Sequence, residues 1–257
     1  MPLEESTDQA GREKVDYDRI SSRYDRHRRG GGPYLDRLVA LARESAARHV
    51  LEIGTGTGNN AHAFLNACPC ALTALEPSSG MLAQASAKCV RARWVQGSAM
   101  HIPLAPGCVD FVFGVYVLHH LPELEPVLRE VARVLGTGFA VFVTASPDFI
   151  DRHPMNEYFP SFAAIDKARF QPIEALRDAF ERTGFRRFGA QRFTAEPRPI
   201  DREYVARVAD KFISTYELIP PDEFAQGLKR LSADVARKGR LDTDIVWESL
   251  MVTAYRA

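Results

Sequence analysis

The sequence carries no surplus of charge: 33 Lys and Arg balance 33 Asp and Glu, and the formal net charge is zero. A protein that grips nucleic acid through many phosphates is normally basic, so the balance makes a nucleic-acid partner unlikely on charge grounds. Long apolar runs are missing too. None reaches the roughly 20 residues that cross a bilayer as a helix, so no membrane span is expected. The opening MPLEESTDQAGREK has no apolar signal core, and a cytoplasmic location is the expectation. Cysteine is scarce, at four residues: Cys68, Cys70, Cys89 and Cys108. The C-x-C pair at 68 and 70 lacks a second pair or a histidine cluster to complete a four-ligand site. Free thiols and no metal are therefore expected.

What is present is an alternation of apolar runs and amphipathic stretches. Residues 1–14 read as disordered. From about residue 34, Leu35, Leu38, Val39, Leu41 and Ala42 recur at helix spacing, with Pro33 suited to the start. HVLEI (49–53) suits a buried strand, and 60–68 reads as a helix. ALTAL (71–75) is a second strand ending at Glu76, and 79–89 a helix capped by Ser78 or Ser79. Residues 92–97 and 109–118 are a third and a fourth strand, 123–136 an amphipathic helix stopping at Gly136, and 139–145 a fifth strand. Strand and helix in turn imply a parallel sheet covered on both faces. Further on, 172–185 reads as a helix, 187–193 as a strand, 201–238 as helices broken by Pro220 and Pro221, and 243–257 as a last strand.

The first strand-to-helix turn, EIGTGTGN, holds Glu52, Gly54, Thr55, Gly56 and Gly58. In a doubly wound sheet this turn is the usual cofactor loop. A dinucleotide fingerprint needs glycine at 59, where Asn59 stands, and no Gly-Lys-Ser/Thr ending marks a phosphate loop. Asn59 reads equally as a helix cap or a ligand contact. An acid before the glycines suits a cation rather than a pyrophosphate, so Glu52 is placed to attract an ammonium group. Glu76 follows the first glycine by about 20 residues, the spacing at which a carboxylate accepts ribose hydroxyls. An adenosine with a positive tail answers both demands, and S-adenosylmethionine is such a molecule.

Several segments then resemble, in order, the class I S-adenosylmethionine-dependent methyltransferases, in the small-molecule group that includes ubiquinone/menaquinone and trans-aconitate methyltransferases. VLEIGTGTG resembles the cofactor loop, ALEPSSGMLAQA the acidic strand end and its helix, and VQGSAMHIPLAPGCVDFVFGVYVLHHL the third strand, adenine loop and fourth strand. EVARVLGTGFAVF resembles the next helix and strand, and YDRISSRYD an N-terminal segment that covers the cofactor. The likeness is good over 15–145 and weak beyond. It implies a doubly wound, mostly parallel seven-stranded sheet with a helical cap insertion: 1–32 as an N-terminal cover, 33–200 and 239–257 as the core, 201–238 as the cap. It also implies that Pro77, Met81, Ser98, Ala99 and Val115 line the cofactor beside the loop residues, with Tyr24 closing over it. Where the family usually carries an acid, this chain has Ser98, whose hydroxyl can still meet the adenine amino group.

Methyl transfer is an in-line displacement that requires alignment and exclusion of water, with no obligatory nucleophile or metal. His119 and His120 follow the fourth strand, where the methyl group emerges, and either could accept a proton from an acceptor hydroxyl or amine. His119 is favoured because it stands nearer the strand. Tyr116, His119, Tyr158 and Phe159 are the candidate acceptor contacts, the last two in the aromatic stretch HPMNEYFPSF. The small-molecule reading competes with a nucleic-acid or protein methyltransferase and with a non-catalytic S-adenosylmethionine-binding regulator. GVYVLHH stands where amino-group base methylases carry Asn/Asp-Pro-Pro-aromatic. A monomer or homodimer is expected.

Overall fold

Strand β1 (His49–Ile53) is almost wholly buried because apolar side chains cover it on both faces. In the computed structural model, which describes residues 15–28, 30–89, 91–121 and 123–257, it sits mid-sheet. The expected disorder of residues 1–14 lies outside the described residues. β1 pairs in parallel with β2 (Ala71–Glu76) on one side and β4 (Phe111–Val115) on the other, with Val50 opposite Leu72 and Phe111. β3 (Arg93–Gln96) pairs with β2, and β5 (Gly138–Thr144) with β4, both parallel. β9 (Glu248–Arg256) runs antiparallel to β5. With β6 (Arg186–Thr194) at the edge, the order is β3-β2-β1-β4-β5-β9-β6, the seven strands that the sequence led us to expect. The order reverses between β1 and β4. In open α/β sheets, ligands bind beyond the strand ends at such a switch.

Side-chain alternation splits the sheet's two faces into two cores. Leu51, Ile53, Val112, Phe142 and Val252 meet α5 (Leu124–Val134) and α8 (Ile173–Arg182) on one face. Val50, Phe111, Phe113 and Val141 meet α2 (Leu35–Glu44) and α3 (Asn59–Ala67) on the other, where Phe64 lies 4.9 Å from Phe113. Glu52 shares the second face with Val50, since side chains alternate along a strand. α1 (Tyr17–Tyr24) and α4 (Ser79–Lys88) complete this unit, which comprises Tyr17–Thr144, Pro172–Phe193 and Ser249–Ala257.

A second unit is built from Ala145–Gln171 and Thr194–Glu248, wider than the 201–238 insertion expected. It holds α6 (Pro147–Asp151), a 3-10 turn (Pro154–Glu157), α7 (Phe162–Lys167), α9 (Arg202–Ala209), α10 (Thr215–Leu218) and α11 (Pro221–Lys238). β7 (Arg198–Asp201) pairs antiparallel with β8 (Arg240–Ile245) in a separate two-stranded sheet. The single last strand expected over 243–257 is thus two, β8 and β9, in different sheets. Residues 153–162, the stretch that holds the candidate acceptor contacts Tyr158 and Phe159, supply Met155, Tyr158, Phe159 and Phe162 to this unit's core. Phe159 is fully buried, 5.4 Å from Tyr216 and stacked on Phe224 at 5.7 Å, and Tyr158 donates to Asp234 Oδ2 at 3.1 Å. Both rings named as candidate acceptor contacts thus pack in this unit's core.

Candidate functional site

The site gathers where β1, β2, β3 and β4 end. Leaving β1, the chain turns through Gly54 (φ +67°), and the N–H groups of Gly54 and Thr55 donate to Leu75 O at 2.9 and 3.2 Å. A Cβ at Gly54 would stand 2.3 Å from Val117 Cγ2, so the chain after β4 packs directly on the loop. Gly58 (φ +76°) opens α3 in the left-handed region, and its Cβ would meet Trp94 at 2.7 Å and Ala85 at 3.0 Å. A Gly58→Ala protein should lose about 2–4 kcal/mol, summing the left-handed penalty and the overpacking. Thermal unfolding checks this, and an unchanged midpoint would contradict the loop geometry.

Two buried carboxylates anchor the loop. Glu76 at the end of β2 accepts Gly56 N–H on Oε2 at 2.9 Å and Ser78 N–H on Oε1 at 3.1 Å. Each oxygen keeps a further lone pair, which matches a pair of vicinal hydroxyls. Burial pushes its pKa up, against the pull of those two N–H bonds. Glu52 is 1% exposed and accepts from Thr55 Oγ1 at 2.7 Å. Burial raises its pKa to about 8; the Thr55 hydrogen bond opposes the rise and the charge of Glu76 adds to it. A cation brought beside it would offset the burial and return it to its ionised form, whereas a phosphate would hold it protonated.

This shift has a sign that can be tested. The folded protein keeps the Glu52 proton up to about pH 8, whereas the unfolded chain releases it near 4.5. The associated stability is complete below 4.5 and lost as pH rises through 8. Glu52→Gln cannot titrate. Its cofactor-free form should therefore gain on the wild type by about 4 kcal/mol between pH 5 and 8.5. Unfolding profiles that stay parallel over that range would contradict the burial of an ionisable Glu52.

α1 is tied across this loop at both ends. Asp18 accepts Gly80 N–H at 2.7 Å and Ser78 Oγ–H at 2.7 Å at the start of α4, and those bonds hold it below the usual carboxylate range. Asp25 pairs with Lys88 and accepts from Thr57 Oγ1 at 2.6 Å and Asn59 Nδ2 at 2.8 Å. Burial would raise Asp25, but these partners outweigh it and leave it lowered. The Tyr24 ring, under the Arg28 guanidinium, reaches within 4.0 Å of where a Cβ of Gly56 would be. Asn59 is thus a strap anchor, and Gly58 takes the cap position. Asn60 Oδ1 accepts Gly31 N–H at 3.0 Å, and the Tyr34 hydroxyl donates to Gly31 O at 3.0 Å.

β4 ends at Val115, earlier than the strand expected over 109–118. Tyr116 follows with φ +52°, a costly conformation for a non-glycine residue. Its N–H donates to Val143 O at 2.7 Å, and its hydroxyl shares a 2.8 Å hydrogen bond with Ser249 Oγ. The bend delivers the 3-10 turn Leu118–His120. His120 is exposed, and its Nε2 shares a 2.7 Å hydrogen bond with Tyr17 Oη on α1. His119 is half-buried with its ring 3.8 Å from that of His120. His120 Nε2 is thus turned to the strap.

The remaining expected contacts divide. Thr55, Met81, Ala99 and Val115 are buried beside the loop ends, Met81 completely. Pro77 and Ser98 are exposed, and Ser98 Oγ accepts Met100 N–H at 3.2 Å within its own turn. Asp18, Asp25, Lys88, Tyr34, Asn60 and Ser249 were not anticipated. The acids of YDRISSRYD were visible in sequence, but their partners lie tens of residues away and carried no signal.

The donor set fits S-adenosylmethionine: a carboxylate pair with spare acceptors for two hydroxyls, a buried acid for a cation, and a glycine turn that side chains would obstruct. Residues 51–143 match the family described as "Methyltransferase domain". The malonyl-[acyl-carrier protein] O-methyltransferase of Laribacter hongkongensis is 31% identical over 194 residues, 68% of this chain and 63% of that one. The ubiquinone/menaquinone biosynthesis C-methyltransferase of Paracoccus denitrificans is 30% identical over 148 residues, 53% of this chain and 59% of that one. The chain thus spans under two thirds of either relative. In fold, it is similar to a protein of Anabaena variabilis described as a methyltransferase from an antibiotic biosynthesis pathway. The TM-score is 0.69 at 24% identity, over 84% of this chain and 95% of that one.

Proposed function

The chain belongs to the class I S-adenosylmethionine-dependent methyltransferases, and we propose that it methylates a small-molecule acceptor. The observation that carries the cofactor reading is the pair of buried carboxylates, Glu52 and Glu76, fastened to one glycine turn. Glu76 holds the ribose hydroxyls, and Glu52 draws the amino group of the methionine tail. S-adenosylmethionine supplies an electrophilic methyl group. The loop and the α1 strap fix its position and keep water out, where alignment alone can supply about 7–11 kcal/mol. His120 takes the proton of an acceptor hydroxyl or amine, and Tyr17 Oη, hydrogen-bonded to its Nε2, holds the ring in place. Tyr116, braced by Ser249, would contact the acceptor.

A small acceptor is supported by the zero net charge, by GVYVLHH in place of a base-methylase motif, and by relatives named for acyl and quinone chemistry. Incubation with methyl-labelled S-adenosylmethionine and, separately, a metabolite extract, RNA, DNA and a protein lysate tests this. Label in the small-molecule fraction is expected. Label confined to nucleic acid or protein overturns the acceptor class, and cofactor binding with no label anywhere points to a regulator.

A further inference from the structure

We propose that the second unit binds a small organic carboxylate on Tyr204, Arg207 and Tyr216, a site with no part in cofactor binding. Tyr204 and Arg207 stand three residues apart on α9 and so share a face. Tyr216 comes from α10. All three surround one ring, that of Phe212. The Arg207 guanidinium lies 4.5 Å above its centroid, and the rings of Tyr204 and Tyr216 lie at 5.7 and 5.8 Å.

Their polar atoms are buried without acceptors. Tyr216 is 0% exposed and Tyr204 5% exposed. Arg207 Nε has no hydrogen-bond partner among the described residues, and the Tyr204 and Tyr216 hydroxyls have none there beyond each other. The two hydroxyls adjoin each other, yet at most one can donate to the other. At least one phenol hydrogen and the guanidinium N–H then lack an acceptor, and buried polar groups are seldom left so. The missing partner must accept only, because burial keeps both phenols protonated.

Charge selects among acceptors. Burial lowers Arg207, the charge of Arg198 adds to that fall, and Glu203 opposes it. Asp166 faces Tyr216 but is engaged by Arg169 at 2.5 Å and by the Thr215 hydroxyl at 2.8 Å. A water would meet the hydrogen bonds and leave the charge unanswered. A carboxylate meets both, with two oxygens for the remaining phenol O–H and the Arg207 Nε–H.

Thermal unfolding of the full chain in sodium acetate, against sodium chloride at equal ionic strength, tests the site. Acetate should raise the midpoint saturably beyond chloride. The half-saturating concentration should increase about tenfold or more in Arg207→Gln, as for loss of a hydrogen bond to a charged group. Tyr204→Phe should weaken acetate less, and S-adenosylmethionine affinity should be unchanged in both. Should Arg207→Gln fail to bind S-adenosylmethionine, Tyr204→Phe decides, since it removes one hydroxyl only. An equal acetate effect in wild type and variant, or none beyond chloride, overturns the site. Inorganic phosphate acting at lower concentration than acetate overturns the carboxylate assignment. None of these readouts uses methyl transfer, so this inference and the acceptor reading fail separately.

Discussion

His120→Ala should lower turnover by about 10²–10⁴ at saturating S-adenosylmethionine, the range for removal of a general base. The physical basis is the Tyr17–His120 hydrogen bond of 2.7 Å, which joins the turn after β4 to α1 and fixes the imidazole. Tyr17→Phe keeps the edge-on ring contact, 5.1 Å between centroids, and removes only the hydroxyl. It should cost less than His120→Ala and leave cofactor affinity within about threefold, since a neutral hydrogen bond contributes about 1 kcal/mol. His119→Ala, whose ring packs against His120, should fall between the two. Single-turnover rates on the acceptor found by labelling separate chemistry from product release. Turnover within about threefold of wild type in both histidine variants would remove them from the mechanism.

Glu76→Ala should weaken S-adenosylmethionine binding by about 1.5–3 kcal/mol, tenfold to more than a hundredfold in Kd. The carboxylate supplies acceptors to the cofactor and also clamps Gly56 and Ser78, so its loss acts on both. The clamp is separable. Asp18→Ala loosens the same stretch at Ser78 and Gly80 without removing a ribose acceptor. Calorimetry should find Asp18→Ala much the milder of the pair. Equal losses would mean that Glu76 works only through the loop.

Much of the first unit was legible because its signals are local. A strand buried on both faces must be an apolar run, and HVLEI, ALTAL and FAVFVTA are such runs. The glycine turn and its two acids were legible because residue type at fixed spacing expresses a chemical need. Tyr116 was not, because its positive φ is imposed by Val143 and Ser249, which no neighbouring residue foretells. The strap was half legible. Its aromatic and acidic residues stood out, but the attachments from Asp18 to Gly80 and Asp25 to Lys88 span some sixty residues of chain.

The second unit was the least legible part. Proline and aromatics in HPMNEYFPSF look like an exposed loop. Their burial depends on α9–α11 and on β7 pairing with β8 across about 40 intervening residues. The expectation of an insertion over 201–238 found the helices and missed both the hairpin that frames them and the 145–171 stretch that fills their core.

The central claim is that the turn after β1 and the acid after β2 hold an adenosine with a cationic tail. Calorimetric titration of the wild-type chain with S-adenosylmethionine and, in parallel, NAD tests it most directly. Saturable one-to-one binding of S-adenosylmethionine, weakened about tenfold or more by Glu76→Ala, and no measurable heat with NAD is the predicted result. Preference for NAD, or S-adenosylmethionine binding indifferent to Glu76, would contradict it.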